Sequence, residues 1–579
     1  MKVLLKNQII YEITLIVCIF SNIIHTHQVI MHLPKMHYVI YPTSHVFFLL
    51  LEGLSIYYIA FIVPKKREAL LLFLYFIYSI ILWINVAYSR YFDTYMPLTL
   101  YGEFNNLNGL LPNIIDAFEW NDLFFVITGS LVITTYFICK DEKKTKLEKI
   151  LPIAIGVVLF ISFTHYFYSI KKDHDHLAEH FKDLNDQRSI WETMMDRRRM
   201  MENTASKTSA FYHGIGLTLF INCIEKMFRT EKIKFSEKEH NIIKKYMYAS
   251  HYNTPQDTTK NLILIIVESL SSYPINKSFG GIELTPNINK LITKSYYNPN
   301  MSSETLLGES SDGQFIYLTG LLPLKNGVTI NEIRAQQITT FISIAKKQYP
   351  NLHSQMTIPT EKDSWSQEAM CKKYGIDSLF SKEGYPSKIR EEWLNDKQLF
   401  EYASMKDKSL KPPFVSLILT SSTHSPYIKS YENYHIQYPA NYSTELKHYL
   451  NNIHYMDKYI GQYLRSLKQY SWFDQCTIII TADHKPNGNK LNCHNANLFT
   501  KIPLIIIHPS QNIGNEICSI NQSSVFPTIL DLYHIDTNWK GVGQSIFMPK
   551  HIIESAYEVK RIEHKQIISN YLLNNYYLE

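Results

Sequence analysis

Seven cysteines are spread through 579 residues, and no two of them fall in a C-x-x-C spacing. That absence excludes a zinc ribbon and gives no sign of a disulfide framework. Excess charge of one sign is scarce as well. The 58 Lys and Arg face 52 Asp and Glu for a net +6, with no long basic run and no aromatic-basic ribbon, so nucleic acid is not an expected partner. No small-x-small cleavage site follows Phe20-Ser21-Asn22, and the apolar N-terminal stretch therefore reads as an uncleaved helix rather than a signal peptide. The chain is too long for one ordinary domain. Its mean hydropathy of −0.14 averages two unlike halves.

The first of these halves is apolar. Five stretches, at roughly 8–28, 40–63, 69–88, 121–139 and 150–170, come near the ~20 residues that a bilayer-spanning helix needs. Glu12 interrupts the first. Glu52 lies inside the second, where a carboxylate is expected to face other helices or to be protonated. The basic residues Lys2, Lys6, Lys65, Lys66 and Arg67 and the tract 140–149 fall on one side of the spans. The positive-inside rule makes that side cytoplasmic and puts everything after residue 170 outside. Residues 171–258 read as a connector. Its Arg197-Arg198-Arg199 run suits anionic head groups or, equally, a solvated helix face. The apolar stretch 215–224 is too short to span and suits an interfacial helix.

From Asn261 onward, short runs of Ile, Leu and Val alternate with polar, helix-like stretches, the pattern of buried parallel strands. What ends each run is informative. Leu262 to Val267 runs into Glu268-Ser269, Phe414 to Leu419 into Thr420-Ser421-Ser422-Thr423-His424, and Cys476 to Ile480 into Thr481-Ala482-Asp483-His484. Sites in open α/β sheets form just beyond the carboxyl ends of strands. Glu268, Asp483 and His484 then make a divalent-metal set, two carboxylates and an imidazole that suit Mn²⁺ or Zn²⁺.

The hydroxyl-rich turn Gly308-Glu309-Ser310-Ser311-Asp312-Gly313-Gln314-Phe315 leads into what reads as a buried helix. Ser310 at its start is a helix cap or a fourth metal ligand and nucleophile, since an adjacent metal lowers a hydroxyl's pKa. His424 is a candidate for stabilising the transferred group or protonating the leaving oxygen.

Several motifs resemble the lipoteichoic acid synthase branch of the sulfatase/alkaline-phosphatase superfamily. Asn261 to Ser269 resembles that family's first strand with its metal-binding Glu. Thr285-Pro286-Asn287-Ile288-Asn289-Lys290-Leu291 resembles its TPNLNKL segment. Gly308 to Phe315 resembles its G-x-T-S-D-x-E-F nucleophile turn, with Ser310 in place of Thr. Trp365, followed by Tyr374-Gly375-Ile376-Asp377, resembles a substrate-side segment, His424 the substrate-binding His, and Asp483-His484 the remaining metal pair. Phe526 to Leu532 and Gly541 to Ser545 resemble the closing segment. The sulfatase signature C/S-x-P-x-R is absent around Ser310, which disfavours a formylglycine sulfatase. Gln367 stands where the family often has Arg, a bidentate phosphate donor, and this leaves the head group open.

The resemblance implies a multi-pass α-helical membrane domain of about five helices (1–170), a juxtamembrane connector (171–258), an extracytoplasmic α/β domain of the alkaline-phosphatase/sulfatase type (259–555) and a C-terminal tail (556–579). It implies a transferase in the bacterial cytoplasmic membrane with its catalytic domain outside. Such an enzyme moves a phospho-alcohol group (phosphoglycerol or phosphoethanolamine) from a phospholipid donor to an envelope glycan, lipid or glycerol acceptor. Catalysis would rest on one divalent ion, Mn²⁺ or Zn²⁺, held by Glu268, Ser310, Asp483 and His484. Ser310 would be the covalent nucleophile, and His424, Trp365 and Gln367 would lie on the substrate side. A hydrolase of phosphate or sulfate esters, and a catalytically silent relative that binds lipids, are the alternatives.

Overall fold

A computed structural model describes residues 8–31, 42–60, 66–92, 119–139, most of 150–165, 235–249 and most of 261–573, with a few isolated residues between these stretches. The chain divides into two compact units, 1–98 with 112–229 and 230–579 with 99–111.

The first unit is helical. Helices α1 (Gln8–Met31), α2 (Pro42–Ile59), α3 (Arg67–Phe92) and α4 (Leu123–Cys139) occupy the first four expected spans. Among the described residues, Ile10–Ile30, Arg67–Arg90 and Trp120–Cys139 are long and apolar enough to cross a bilayer. The second and fifth expected spans carry shorter apolar helices, Leu50–Ile59 and Ile153–His165. The acids that interrupt the apolar runs are buried and bonded, the condition under which lipid tolerates them. Glu12 accepts hydrogen bonds from Arg67 and Tyr57, each at 2.5 Å. Glu52 accepts from the Tyr78 hydroxyl and, at 2.7 Å, from the Gly216 amide. Asn22 of α1 donates to Tyr75 and Ser79 of α3 and accepts from Thr128 of α4 at 2.9 Å. Most of the basic residues expected to set the orientation lie outside the described residues, as does the Arg197–Arg199 run. Arg67 is taken up by its buried ion pair.

The second unit is built on an eight-stranded mixed sheet. Its strands are β1 (Asn261–Val267), β2 (Tyr296–Ser302), β3 (His353–Thr357), β4 (Ser378–Phe380), β5 (Phe414–Leu419), β6 (Cys476–Ala482), β7 (Lys501–Ile507) and β8 (Ile520–Asn521). In space they run β8-β2-β7-β6-β1-β5-β3-β4. Only β7 is antiparallel to its neighbours. Every residue of β1, β5 and β6 is buried, as expected of central strands covered on both faces. Their register is in step: Val267 pairs with Ala482, and Ile266 with Leu419. The ladder continues beyond the strand ends, with the Asp483 amide donating to Val267 O and the Thr420 amide to Ile266 O.

The helices of this unit include α5 (Glu237–Tyr246), α6 (Ser310–Thr319), α7 (Asp396–Asp407), α8 (Thr444–Leu467) and α9 (Val525–Leu532). A last helix, α10 (Ile562–Leu573), covers the stretch expected as a tail. It packs against α5. Its Ser569 hydroxyl accepts the Leu322 amide, and its Gln566 side chain donates to Pro323 O.

Asp407, at the end of α7, is buried and accepts from Tyr463, Ser416 and Gln355 at 2.5, 2.8 and 2.7 Å. Burial outweighs these donors and pushes its carboxyl up to about 6. A folded-state value above the unfolded one means that the folded chain retains a proton the unfolded chain releases. The group's contribution to stability is therefore complete below about pH 4 and is lost as the pH rises through 6. Asp407→Asn should remove that slope. The difference in unfolding free energy between variant and wild type is expected to change by about 1.4 kcal/mol per pH unit between pH 4 and 6. A difference that stays constant across this range in denaturant titrations would contradict the assignment.

Candidate active site

The register of β1, β5 and β6 brings three strand ends to within one residue of the same level. Glu268 follows β1, Thr420 follows β5 and Asp483 follows β6. Glu268, Asp483 and His484 are buried, and each offers a ligand atom within 4.8 Å of the other two. Ser310, the first residue of α6, closes the group. Its hydroxyl donates to Glu268 Oε2 at 3.1 Å and lies 3.4 Å from His484 Nε2. His484 Nε2 is 3.4 Å from Glu268 Oε1 and 3.6 Å from Asp483 Oδ2. The four residues expected to hold a metal thus come together in space, although up to 216 positions separate them in sequence.

The electrostatics fit a cation. Asp483 Oδ1 accepts from the Ser269 and His484 amides at 2.8 and 2.7 Å. Asp483 Oδ2 is buried and accepts no hydrogen bond, and leaving such an atom without a partner is costly. Burial, and then the charge of Glu268, push the Asp483 carboxyl well up. Burial opposes the charged form of Glu268 too, yet His424 and His484 together hold that carboxyl well below the usual range. Burial would lower His484, but Asp483, Glu309 and Glu268 hold it well above its ordinary value. A pocket that makes one acid keep its proton and an imidazole keep its own carries surplus negative charge, which a divalent ion would relieve. Two carboxylates and an imidazole with an adjacent hydroxyl also suit Mn²⁺ or Zn²⁺.

Two residues of the site have strained backbone. Glu309, immediately before the helix, has φ 42°, and Ser269 has φ 51°, a region non-glycine residues enter at a cost and mostly at functional turns. The Glu309 carboxylate lies 3.3 Å from His484 Nδ1, which also contacts Lys485 O at 2.8 Å.

The substrate-side expectations fare differently. His424 lies close enough to Glu268 to lower its pKa, and its ring meets the Trp393 ring edge-on at 4.6 Å. Gln367 begins the helix Gln367–Tyr374 and is buried. It makes no hydrogen bond to Glu268, Ser310, Asp483 or His484, and its amide oxygen is unpartnered. Trp365 lies outside the described residues.

Supporting residues emerge that no local pattern announced. Thr420 Oγ1 accepts the Glu268 amide at 3.0 Å, and the Thr423 hydroxyl donates to Glu268 O. Gln522 donates to Asp483 O at 2.6 Å while accepting the Glu304 amide at 3.0 Å. Glu304 in turn pairs with the buried Lys565 of α10 at 2.9 Å, so the C-terminal helix is joined to a candidate ligand through two side chains. Gly313 lets α6 approach, because a Cβ there would lie 2.4 Å from Asp483 O. Only a glycine permits that contact.

Comparison with known proteins agrees with this architecture. The Sulfatase family model matches residues 260–535, and the Lipoteichoic acid synthase N-terminal domain model matches residues 1–218. Lipoteichoic acid synthase of Staphylococcus saprophyticus is 23% identical over 507 residues, covering 82% of this chain and 74% of the relative. That of Staphylococcus aureus is 24% identical over 513 residues with the same coverage. Among solved structures, the integral membrane lipooligosaccharide phosphoethanolamine transferase A of Neisseria meningitidis aligns with a TM-score of 0.52 at 12% identity. That alignment covers 90% of this chain and 95% of the other, a likeness of fold.

The Gly313 contact can be tested by the sign of a substitution. Replacing an open helical glycine by alanine stabilises a protein by roughly 0.5–1 kcal/mol. Here Gly313→Ala is expected instead to destabilise by about 1–3 kcal/mol, because a backbone atom must move. Unfolding of wild type and variant in denaturant measures the difference, and a stabilised variant would contradict the packing described.

Proposed function

Because this chain is a lipoteichoic acid synthase-like member of the sulfatase/alkaline-phosphatase superfamily, we propose that it is a membrane-anchored phosphotransferase whose site faces the outside of the cytoplasmic membrane. It takes a phospho-alcohol group, phosphoglycerol or phosphoethanolamine, from a phospholipid and passes it to a glycan, lipid or glycerol hydroxyl. The observation that carries this proposal is the Ser310 hydroxyl, poised at a helix start 3.1 Å from Glu268 and 3.4 Å from His484.

Glu268, Asp483, His484 and Ser310 are the residues that would hold a divalent ion, Mn²⁺ or Zn²⁺. Such an ion supplies charge to the transferred phosphate and lowers the pKa of the serine hydroxyl. The protein's own groups perform the rest. Ser310 Oγ, which lies 3.1 Å from Glu268 Oε2, releases its proton to solvent water and attacks the head-group phosphorus. The bond from phosphorus to the diacylglycerol oxygen breaks, and the leaving oxygen takes a proton, with His424 as its donor. The phospho-alcohol is then covalently bound to Ser310. An acceptor hydroxyl attacks the same phosphorus in the second step, gives its proton to the now neutral His424, and displaces Ser310 Oγ, which regains a proton from solvent. The N-terminal helices keep the site at the bilayer that holds the donor, which raises the donor's effective concentration.

Full-length protein, supplied with Mn²⁺ or Zn²⁺ and offered phosphatidylglycerol or phosphatidylethanolamine in separate micelles, is expected to release diacylglycerol from one of them. Ser310→Ala should abolish the release and leave the protein folded. A Ser310→Ala variant with full activity would remove Ser310 from the mechanism. Product that forms equally well with and without an added glycan acceptor would mark water as the acceptor and the enzyme as a hydrolase.

A further inference from the structure

The loop after β5 carries Thr420 to His424. It holds Glu268 through Thr420 and Thr423, and the His424 amide donates to Ser421 O at 2.9 Å. A second segment, Trp393 to Asp396, grips this loop. Asp396 is fully buried, and its Oδ1 accepts the amides of Ser421 and Ser422 at 3.0 Å each. Its own amide donates to Ser422 Oγ at 2.8 Å. The Ser421 hydroxyl donates to Leu394 O at 2.6 Å. Three residues before Asp396, the Trp393 ring stands against the His424 ring with their planes at 89°.

Neither residue is needed for the helix it precedes or begins. Asn395 is the N-cap of α7, accepting the Gln398 amide at 3.1 Å, so the cap is complete without Asp396. A fully buried carboxylate is expensive where an apolar side chain would fill the space. Its oxygen is spent instead on two loop amides that would otherwise be buried without acceptors.

We propose that Trp393 and Asp396 form a bracket that positions His424 beside Glu268 for the transfer. Both are positioning residues: Asp396 fixes the backbone that carries His424, and Trp393 fixes the orientation of its ring. This inference rests on the function proposed above, in which His424 protonates the leaving oxygen.

The test is a double-mutant cycle on the full-length protein with the diacylglycerol assay. His424→Ala, Asp396→Ala and the double variant are compared at equal metal content, with thermal unfolding measured for each. Misplacing a reacting group by about 1 Å loses about 10- to 100-fold in rate, so Asp396→Ala is expected to lower kcat/KM by about that factor. The double variant should be no worse than His424→Ala alone, because once His424 is gone there is nothing left to position. Asp396→Asn, which still offers an oxygen to both amides, should restore most of the loss. Multiplying losses in the double variant, or an Asp396→Ala variant with wild-type kcat/KM, would overturn the proposal. If Asp396→Ala fails to fold, Trp393→Leu takes its place in the cycle with the same expectation.

A readout independent of turnover is the rate at which diethyl pyrocarbonate labels His424, mapped by peptide mass spectrometry. It should rise in Asp396→Ala and return towards wild type in Asp396→Asn, and an unchanged rate would also overturn the bracket. An active Ser310→Ala variant would sink the transferase proposal while leaving the labelling result to decide the bracket. A dead Ser310→Ala with multiplying losses in the cycle would sink the bracket alone.

Discussion

The site depends on the register of three adjacent parallel strands. Val267 pairs with Ala482 and Ile266 with Leu419, so β1 and β6 end level, β5 ends one residue earlier, and Glu268 and Asp483 emerge side by side with the β5 loop next to them. Register in a sheet with both faces buried is strongly specified, since a slip of one residue would turn every side chain of a strand to the opposite face. The apolar runs therefore do more than build a core. They fix the distance between Glu268 and Asp483, which no loop of comparable length could hold as firmly. The remaining parts are fastened to that edge: α6 through the bare Cα of Gly313, the β5 loop through Asp396, and Asp483 through Gln522, Glu304 and Lys565.

The arrangement concentrates negative charge where water is excluded. Glu268 and Asp483 sit next to one another with almost no exposure. Without a cation, one of them must hold a proton, the response of like charges forced together in a low dielectric. The same imbalance would serve a phosphoryl transferase well. A bound ion would be held next to the Ser310 hydroxyl, the proposed nucleophile, at the start of a helix whose amides also favour negative charge. The membrane unit follows the same rule with different partners: Glu12, Glu52 and Asn22 lie within apolar helices because Arg67, Tyr57, Tyr78 and the α3 hydroxyls meet them.

Much of this could be read along the chain because it is written locally. An apolar run that stops at Glu268, or at Asp483-His484, marks a strand end with chemistry at its tip, and a hydroxyl-rich turn before a buried stretch marks the start of α6. The long apolar segments marked α1, α3 and α4 in the same way. What escaped was whatever depends on approach between distant segments. Lys565 and Glu304 are 261 positions apart, and hydrophobic periodicity says nothing about which buried lysine meets which glutamate. Gly313 looked like one more small residue in a turn, since its meaning lies in the Asp483 carbonyl beyond it. Nothing in the sequence marks Asp396, because its partners are backbone amides that carry no signature of their own. Gln367, singled out by resemblance as a substrate-side residue, is buried with its amide oxygen unpartnered.

The claim on which the rest stands is that Glu268, Asp483 and His484 hold a divalent ion beside Ser310. Elemental analysis of the purified full-length protein, after exposure to Mn²⁺ or Zn²⁺ and removal of unbound ion, addresses it directly. The account predicts one tightly held ion per chain in the wild type, and loss of that ion in Asp483→Asn with the fold retained. Wild-type protein that binds neither ion, or an Asp483→Asn variant that retains it undiminished, would contradict the account.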